Sequence, residues 1–236
     1  MTIRRFGWSA ARRLIYPLLP RSARLPFTYW INLLGGFIEP ELQHLEALCP
    51  AGRVAIDVGA NIGLFSYRLA RLSRKVYAFE INDELLTDLV AYNPGNIEIV
   101  TTGLSSSEGE ATLYIPVSNN LPLTGWASLS PNNYPEADAE LTKSVRVSPL
   151  DAYSLRDVSF TKIDVEGHET DVLKGAINTI SINRPVVLVE IKERNRSWVL
   201  SFFKDLNYME TSLERICGTA GAPENHIFLP GDSGNG

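Results

Sequence analysis

Val54-Ala55-Ile56-Asp57-Val58-Gly59-Ala60-Asn61-Ile62-Gly63 passes from an apolar strand, through a carboxylate and two glycines, into a helix. Val54 to Ile56 is the strand and Asp57 closes it; Ile62, Phe65, Leu69 and Leu72 then recur at helical spacing over residues 62–73. A second apolar run, 76–79, ends at Glu80, residues 83–92 read as a helix and 97–100 as a third strand. Such alternation predicts a parallel sheet with right-handed crossovers. The rhythm returns with a strand over 160–163 that ends at Asp164 and a helix over 168–182 with Val172, Leu173, Ala176 and Ile180 on its apolar face. A very hydrophobic strand over 185–191 follows, then a helix over 197–206, and 208–213 with 226–229 suit a closing antiparallel pair. Between the two halves, residues 111–115 alternate like one strand of a hairpin and 145–147 suit a short strand. The intervening 117–144 are rich in Asn, Pro, Ser and Gly and read as a long loop carrying Trp126 and Tyr134.

The glycine turn also points to a ligand. In open α/β sheets ligands bind beyond the carboxyl ends of the strands, where glycines let the backbone approach closely. A dinucleotide fingerprint requires G-x-G-x-x-G, and from Gly59 its second and third glycine positions hold Asn61 and Leu64. Asp57 would also repel a pyrophosphate, whereas it favours the sulfonium and ammonium of S-adenosylmethionine. Glu80, at the end of the second strand, stands where an acid accepts both hydroxyls of a ribose. Turn and helix-cap chemistry is the plainer account of either acid alone; the two acids flanking the glycines are read as a cofactor site.

Composition agrees with a folded α/β chain. It has 236 residues, 44% hydrophobic and 21% charged, with a net charge of −5. Six arginines (Arg4, Arg5, Arg12, Arg13, Arg21, Arg24) precede the first acid, Glu39, and all 27 acids follow. This divides the chain into a basic N-terminal extension over 1–38, a methyltransferase domain over 39–230 and a flexible tail over 231–236. The extension mixes its arginines with Phe6, Trp8, Leu14, Ile15 and Tyr16, which suits peripheral contact with an anionic membrane. The alternative is a helix packed on the core with solvated arginines, cut short by Pro17 and Pro20. Basic residues of the body are scattered among acids, which argues against a nucleic-acid partner. Cys49 and Cys217 form neither a metal cluster nor a disulfide framework, and no apolar run is long enough to span a bilayer or reads as a signal peptide. The expected setting is cytoplasmic, with the inner face of the membrane as the variant that the arginines suggest.

The glycine stretch resembles the first motif of FkbM-type methyltransferases. So does Phe160-Thr161-Lys162-Ile163-Asp164-Val165-Glu166-Gly167-His168-Glu169, followed by Val172-Leu173-Lys174-Gly175-Ala176, and between them Leu104-Ser105, Gly109-Glu110-Ala111-Thr112-Leu113 and Leu150-Asp151. The resemblance covers roughly residues 37–192. It implies a Rossmann-like class I methyltransferase fold: a mostly parallel seven-stranded sheet with a reversed last strand and helices on both faces. It implies S-adenosylmethionine as cofactor, with Asp57, Gly59, Asn61, Gly63, Glu80 and Leu104 as its contacts. Where the family often has proline after the ribose acid, this chain has Ile81. The resemblance further implies methyl transfer to a hydroxyl oxygen of a sugar, polysaccharide or glycosylated metabolite. A lipid or small natural product as acceptor, or a cofactor-binding module without turnover, are the alternatives.

A hydroxyl must lose its proton during transfer, so a base is expected near the methyl group. Asp164, at the end of its strand, Glu190, near the end of the next, and His168, in the first turn of the following helix, are the candidates. Solvated helix-start chemistry is the rival account of His168 and its neighbours Glu166 and Glu169. Magnesium held by Asp164 and Glu190 lacks an identifiable third ligand and is not favoured. Trp126 is a candidate for stacking on a sugar face, or else covers an apolar edge of the core.

Overall fold

A computed structural model describes residues 15–231; the arginine-rich residues 1–14 and the expected tail at 232–236 lie outside the described residues. One sheet has seven strands in the order β10-β11-β9-β8-β1-β2-β3. These are β1 (Val54–Val58), β2 (Lys75–Phe79), β3 (Ile97–Val100), β8 (Val158–Ile163), β9 (Val186–Glu190), β10 (Tyr208–Thr211) and β11 (Asn225–Pro230). Neighbours from β9 to β3 are parallel, and β11 runs antiparallel to both β9 and β10. The expected Rossmann-like sheet with its reversed last strand is therefore present. Chain order runs outward from the β1–β8 boundary, through β2 to β3 on one side and to β9 on the other before β11 inserts between β9 and β10, and that boundary is the topological switch point where a ligand crevice forms.

The helices are α1 (Arg21–Gly35), α2 (Pro40–Gln43), α3 (Leu45–Leu48), α4 (Leu64–Leu72), α5 (Thr87–Tyr92), α6 (Glu169–Lys174), α7 (Ile177–Asn183), α8 (Arg196–Asp205) and α9 (Leu213–Cys217). They cover both sheet faces. Leu25, Leu45, Leu69 and Leu89 pack on one side with Ala55 and Phe160, and Val172, Ile180, Val199 and Phe203 pack on the other with Val54, Ile56 and Val58. The alternation along β1 is the period-2 pleat feeding two cores.

Three local expectations change. Residues 117–144 are not one long loop. β5 (Gly109–Ser118) and β7 (Ala139–Ser148) pair antiparallel along their whole length and, with β4 (Gly103–Leu104) and β6 (Leu121–Pro122), form a second sheet in the order β4-β7-β5-β6. The readable parts, 111–115 and 145–147, are the stretches around the buried Leu113, Val145 and Val147; the rest of β7, Ala139 to Ser144, is exposed throughout and shows no hydrophobic alternation. The helix expected over 168–182 breaks at Gly175. A side chain there would overlap the carbonyl of Ser105, and the Gly175 carbonyl accepts the Asp151 N–H at 2.9 Å instead of continuing the helix. The Asp151 carboxylate in turn accepts the N–H groups of Asn178 and Thr179 and restarts the helix as α7. Finally, the basic extension holds a helix of its own: α1 begins after Pro20, where no N–H is needed, and runs fifteen residues with Pro26 inside it. The segment before Pro17, where the prolines predict a shortened helix, lies mostly outside the described residues.

Candidate active site

A cleft of about 640 Å³ opens beyond the carboxyl ends of β1, β2 and β8. Its floor is Gly59 and Asn61 after β1, Glu80 and Ile81 after β2, Leu104 on β4, and Asp164 to Glu166 after β8. Its roof, Leu113 and Thr124 to Leu129 without Trp126, comes from the β5–β7 hairpin and its connecting loop.

Gly59 has φ +74°, and a Cβ there would overlap the Asp164 carbonyl oxygen. Only glycine lets β1 turn this tightly against the end of β8. The Gly59 and Ala60 N–H groups both reach the Phe79 carbonyl, at 2.9 and 3.0 Å, which ties the turn to the end of β2. Glu80, almost fully buried, accepts the Asn61 N–H at 2.7 Å on one oxygen and the Asn82 N–H at 2.8 Å on the other. Burial pushes its carboxyl above the usual carboxylate range, against the pull of those two N–H groups. Each carboxylate oxygen keeps acceptor capacity toward the cleft, the geometry a ribose diol requires. Gly63 caps α4 and does not line the cleft.

Asp57 lies deeper than the sequence suggests. It is fully buried behind the glycine turn and outside the cleft lining. One oxygen accepts the Ser66 hydroxyl at 2.6 Å, and the other has no hydrogen-bond partner. Burial raises its pKa, and Lys162 and Ser66 oppose that rise. The glycine turn that admits a close backbone approach and the buried Glu80 carboxylate at the cleft floor fit a cofactor that carries a ribose diol.

Lys162 carries no functional signal in the sequence except that it is a charge inside an apolar strand. It is buried at the end of β8, donates to Asp164 at 2.9 Å and lies over the Phe65 ring. Burial disfavours its charge, but Asp164, Asp57 and Glu39 outweigh that and hold its pKa above the usual lysine value.

Asp164, Glu166 and Glu190 come together, each offering a carboxylate oxygen within 4.8 Å of the other two. Asp164 and Glu166 line the cleft; Glu190 stands behind them at the end of β9. Lys192 bridges the group, 2.8 Å from Glu190, 3.0 Å from Glu166 and 3.3 Å from Glu224. Burial and the nearby Asp164 charge push the Glu190 carboxyl up to about 7, despite Lys192. Among the described residues this is the one acidic group that could take a metal, and the Lys192 ammonium already rests on two of its members.

His168 is not an exposed helix residue. It lines the cleft, with Nε2 3.1 Å from the Ser105 hydroxyl. Burial lowers its pKa, so its imidazole is neutral at pH 7. Glu169, the next acid, is structural: it accepts the Gly167 N–H at 2.7 Å and the side chain of Asn195.

Trp126 is half-exposed and stacks on Tyr134 with centroids 5.0 Å apart. The Tyr134 hydroxyl donates to Glu166. Further bonds strap the hairpin loop over the cleft: Ser128 to the Glu166 carbonyl at 2.6 Å, Ser130 to the Gly167 carbonyl at 3.0 Å and Asn61 to the Gly125 carbonyl at 3.4 Å. Tyr134 and Lys192 sit in segments without any motif and could not have been found from spacing.

The methyltransferase FkbM domain model matches residues 57–215, from the buried Asp57 through the sheet to α9. The chain belongs to the FkbM methyltransferase family. The FkbM methyltransferase of Methylobacillus flagellatus KT superposes with a TM-score of 0.51 at 16% identity, covering 93% of this chain and 58% of that one. In sequence, the chain is 32% identical to the hexuronic acid methyltransferase AglP of Haloferax volcanii over 142 residues, 57% of this chain and 54% of that protein. The chain thus spans about half the length of that relative. The family so matched is one of methyltransferases. Among the described residues, no helix of this FkbM protein is long and apolar enough to cross a membrane.

Proposed function

We propose that this FkbM methyltransferase transfers a methyl group to a hydroxyl oxygen of a sugar, with Glu190 as the proton acceptor. The observation that carries the reading is the cluster of Asp164, Glu166 and Glu190 at the cleft, with Glu190 pushed up to about 7. A base is most effective when its pKa lies near the working pH. Both carboxylates carry an ammonium, Asp164 that of Lys162 and Glu190 that of Lys192; Glu190 is pushed up despite its partner, and Asp164, which lines the cleft, suits orienting the acceptor hydroxyl. S-adenosylmethionine supplies an activated methyl group. Glu80 fixes the ribose, Gly59 admits the backbone close to it, and Leu104 closes the floor. The hexuronic acid named for the Haloferax relative supports a sugar as the acceptor, and the Trp126–Tyr134 stack offers an aromatic face for it.

Two experiments test this. Labelled S-adenosylmethionine is incubated with hexose and hexuronic acid acceptors, and the product is treated with alkali. An alkali-stable methyl ether is expected; an alkali-labile ester would identify a carboxylate as acceptor and remove the need for a base. Glu190→Gln is expected to lower kcat about a hundredfold while cofactor affinity stays unchanged. In the wild type kcat should rise as pH increases through about 7, since the active form is the carboxylate. Stability should move the other way. Because folding raises the Glu190 pKa, the folded chain holds this proton more tightly than the unfolded chain, and stability falls between the unfolded value and about 7. Glu190→Gln should therefore melt higher than wild type at pH 8 and equally at pH 4. A variant that is inactive and also less stable at pH 8 would show a structural role instead.

Trp126→Ala should raise the acceptor KM about tenfold with the affinity for S-adenosylhomocysteine unchanged. Loss of cofactor affinity would mean that the indole holds the roof in place rather than the acceptor.

A further inference from the structure

α1 is bound to the body by one side only. Leu25, Thr28, Tyr29 and Ile31 are buried, and the helix packs against α5 and α4. The outward side of a surface helix is normally charged. Here no charged residue occurs between Arg24 and Glu39. Trp30 and Leu34, one turn apart, and Phe37 just beyond the helix end are 48, 70 and 49% exposed. Upstream, in the turn leading into the helix, Leu18 is 83% exposed. This is an apolar face on a helix whose first turn carries two arginines. Arg21 is exposed at the first turn, and Arg24 is held there by the Pro17 and Leu19 carbonyls and the Tyr16 ring.

From this arrangement we propose that the outward face of α1 docks on an anionic lipid surface, with Trp30, Leu34 and Phe37 entering the headgroup boundary. Charge complementarity selects the occupant. All six charged residues among the first 38 are arginines, so the sequence that leads into and begins α1 is cationic even though Arg21 and Arg24 share their groove with Glu84 and Asp88, and an anionic surface suits it. Tryptophan, aliphatic side chains and arginine on one short helix are the composition that lies in a bilayer interface without spanning it. Leu85 lines both the cleft and the groove beneath Arg21 and Arg24, so the inward side of α1 is one residue from the cleft wall. The inference does not depend on the acceptor or on Glu190.

The test uses the full chain and two vesicle preparations, phosphatidylcholine alone and phosphatidylcholine with phosphatidylglycerol. Flotation with the anionic vesicles only is expected, weakening as salt is added. The double variant Trp30→Ser/Leu34→Ser should lose about tenfold or more of that partitioning while binding S-adenosylhomocysteine as the wild type does, which shows that it is folded. A wild-type chain that binds the cofactor product yet stays with the aqueous phase in both preparations would overturn the proposal. So would a dimer in sedimentation equilibrium that the double variant abolishes, since a second copy would then be what covers the face.

Discussion

Lys162→Met is expected to destabilise the folded chain by about 3–5 kcal/mol, because it strips the shared counter-ion from buried carboxylates. The Lys162 ammonium stands among Asp164, Asp57 and Glu39, all of which hold its pKa up. Methionine has a similar reach and adds no charge, so the change removes charge more than volume. Asp57 would keep Ser66 as a partner but lose its nearby cation, and Asp164 would lose its 2.9 Å ion pair. In a domain of this size the thermal midpoint should drop by about 10 °C. Calorimetric or circular-dichroism melting checks this. The double variant Lys162→Met/Asp164→Asn should recover part of the loss, since one uncompensated charge is then gone. A single variant that melts like the wild type would show that the carboxylates around it are already neutral in the folded state.

Gly59→Ala is expected to abolish saturable S-adenosylhomocysteine binding, weakening it about a thousandfold, while the protein still folds. Two effects add. The residue sits at φ +74°, a conformation costly for alanine, and its methyl group would overlap the Asp164 carbonyl oxygen. That oxygen belongs to the backbone at the end of β8, so it cannot swing aside as a side chain would. Relief requires the turn to move, and the turn carries the Asn61 N–H that holds Glu80 at 2.7 Å. Isothermal titration with S-adenosylhomocysteine measures the effect. Unchanged affinity would mean that the glycine turn is not the part of the cleft that meets the cofactor.

What could be read in the sequence follows burial. β1, β2, β3, β8 and β9 are strands whose side chains feed two cores, so their apolar runs stand out, and Asp57, Glu80 and Asp164 stand out as the polar residues that end them. The order of the sheet and the crevice at the switch point then follow from chain connectivity. β5 and β7 are legible only at 111–115 and 145–147, where Leu113, Val145 and Val147 are buried; their full length and pairing are not, because β7 is exposed from Ala139 to Ser144 and has no pattern to show there. The break at Gly175 escaped because its cause is the Ser105 carbonyl, seventy residues away in the chain. The same holds for the site. His168, Asp164 and Glu190 are legible as residue types near strand ends, but the Lys192 bridge and the Tyr134–Glu166 bond join segments that only tertiary structure brings together. The depth of Asp57 is likewise a property of packing: a carboxylate one residue before the end of β1 points either into the cleft or beneath it, and the pleat alone selects the second.

The hairpin that roofs the cleft gives the protein a second, weaker level of stability. Its loop is strapped to the floor by Asn61–Gly125, Ser128–Glu166, Ser130–Gly167, Tyr134–Glu166 and Arg194–Asn133. Bonds of this type contribute about 1 kcal/mol each, so lifting the strap costs far less than unfolding the sheet beneath it. Amide hydrogens of the loop should exchange through this local opening, and those of β1 and β8 only through global unfolding. On the proposed function, a turnover that needs this opening cannot run faster than the strap lifts, and a mutation that tightens the loop should slow turnover while every side chain around the cleft looks better placed.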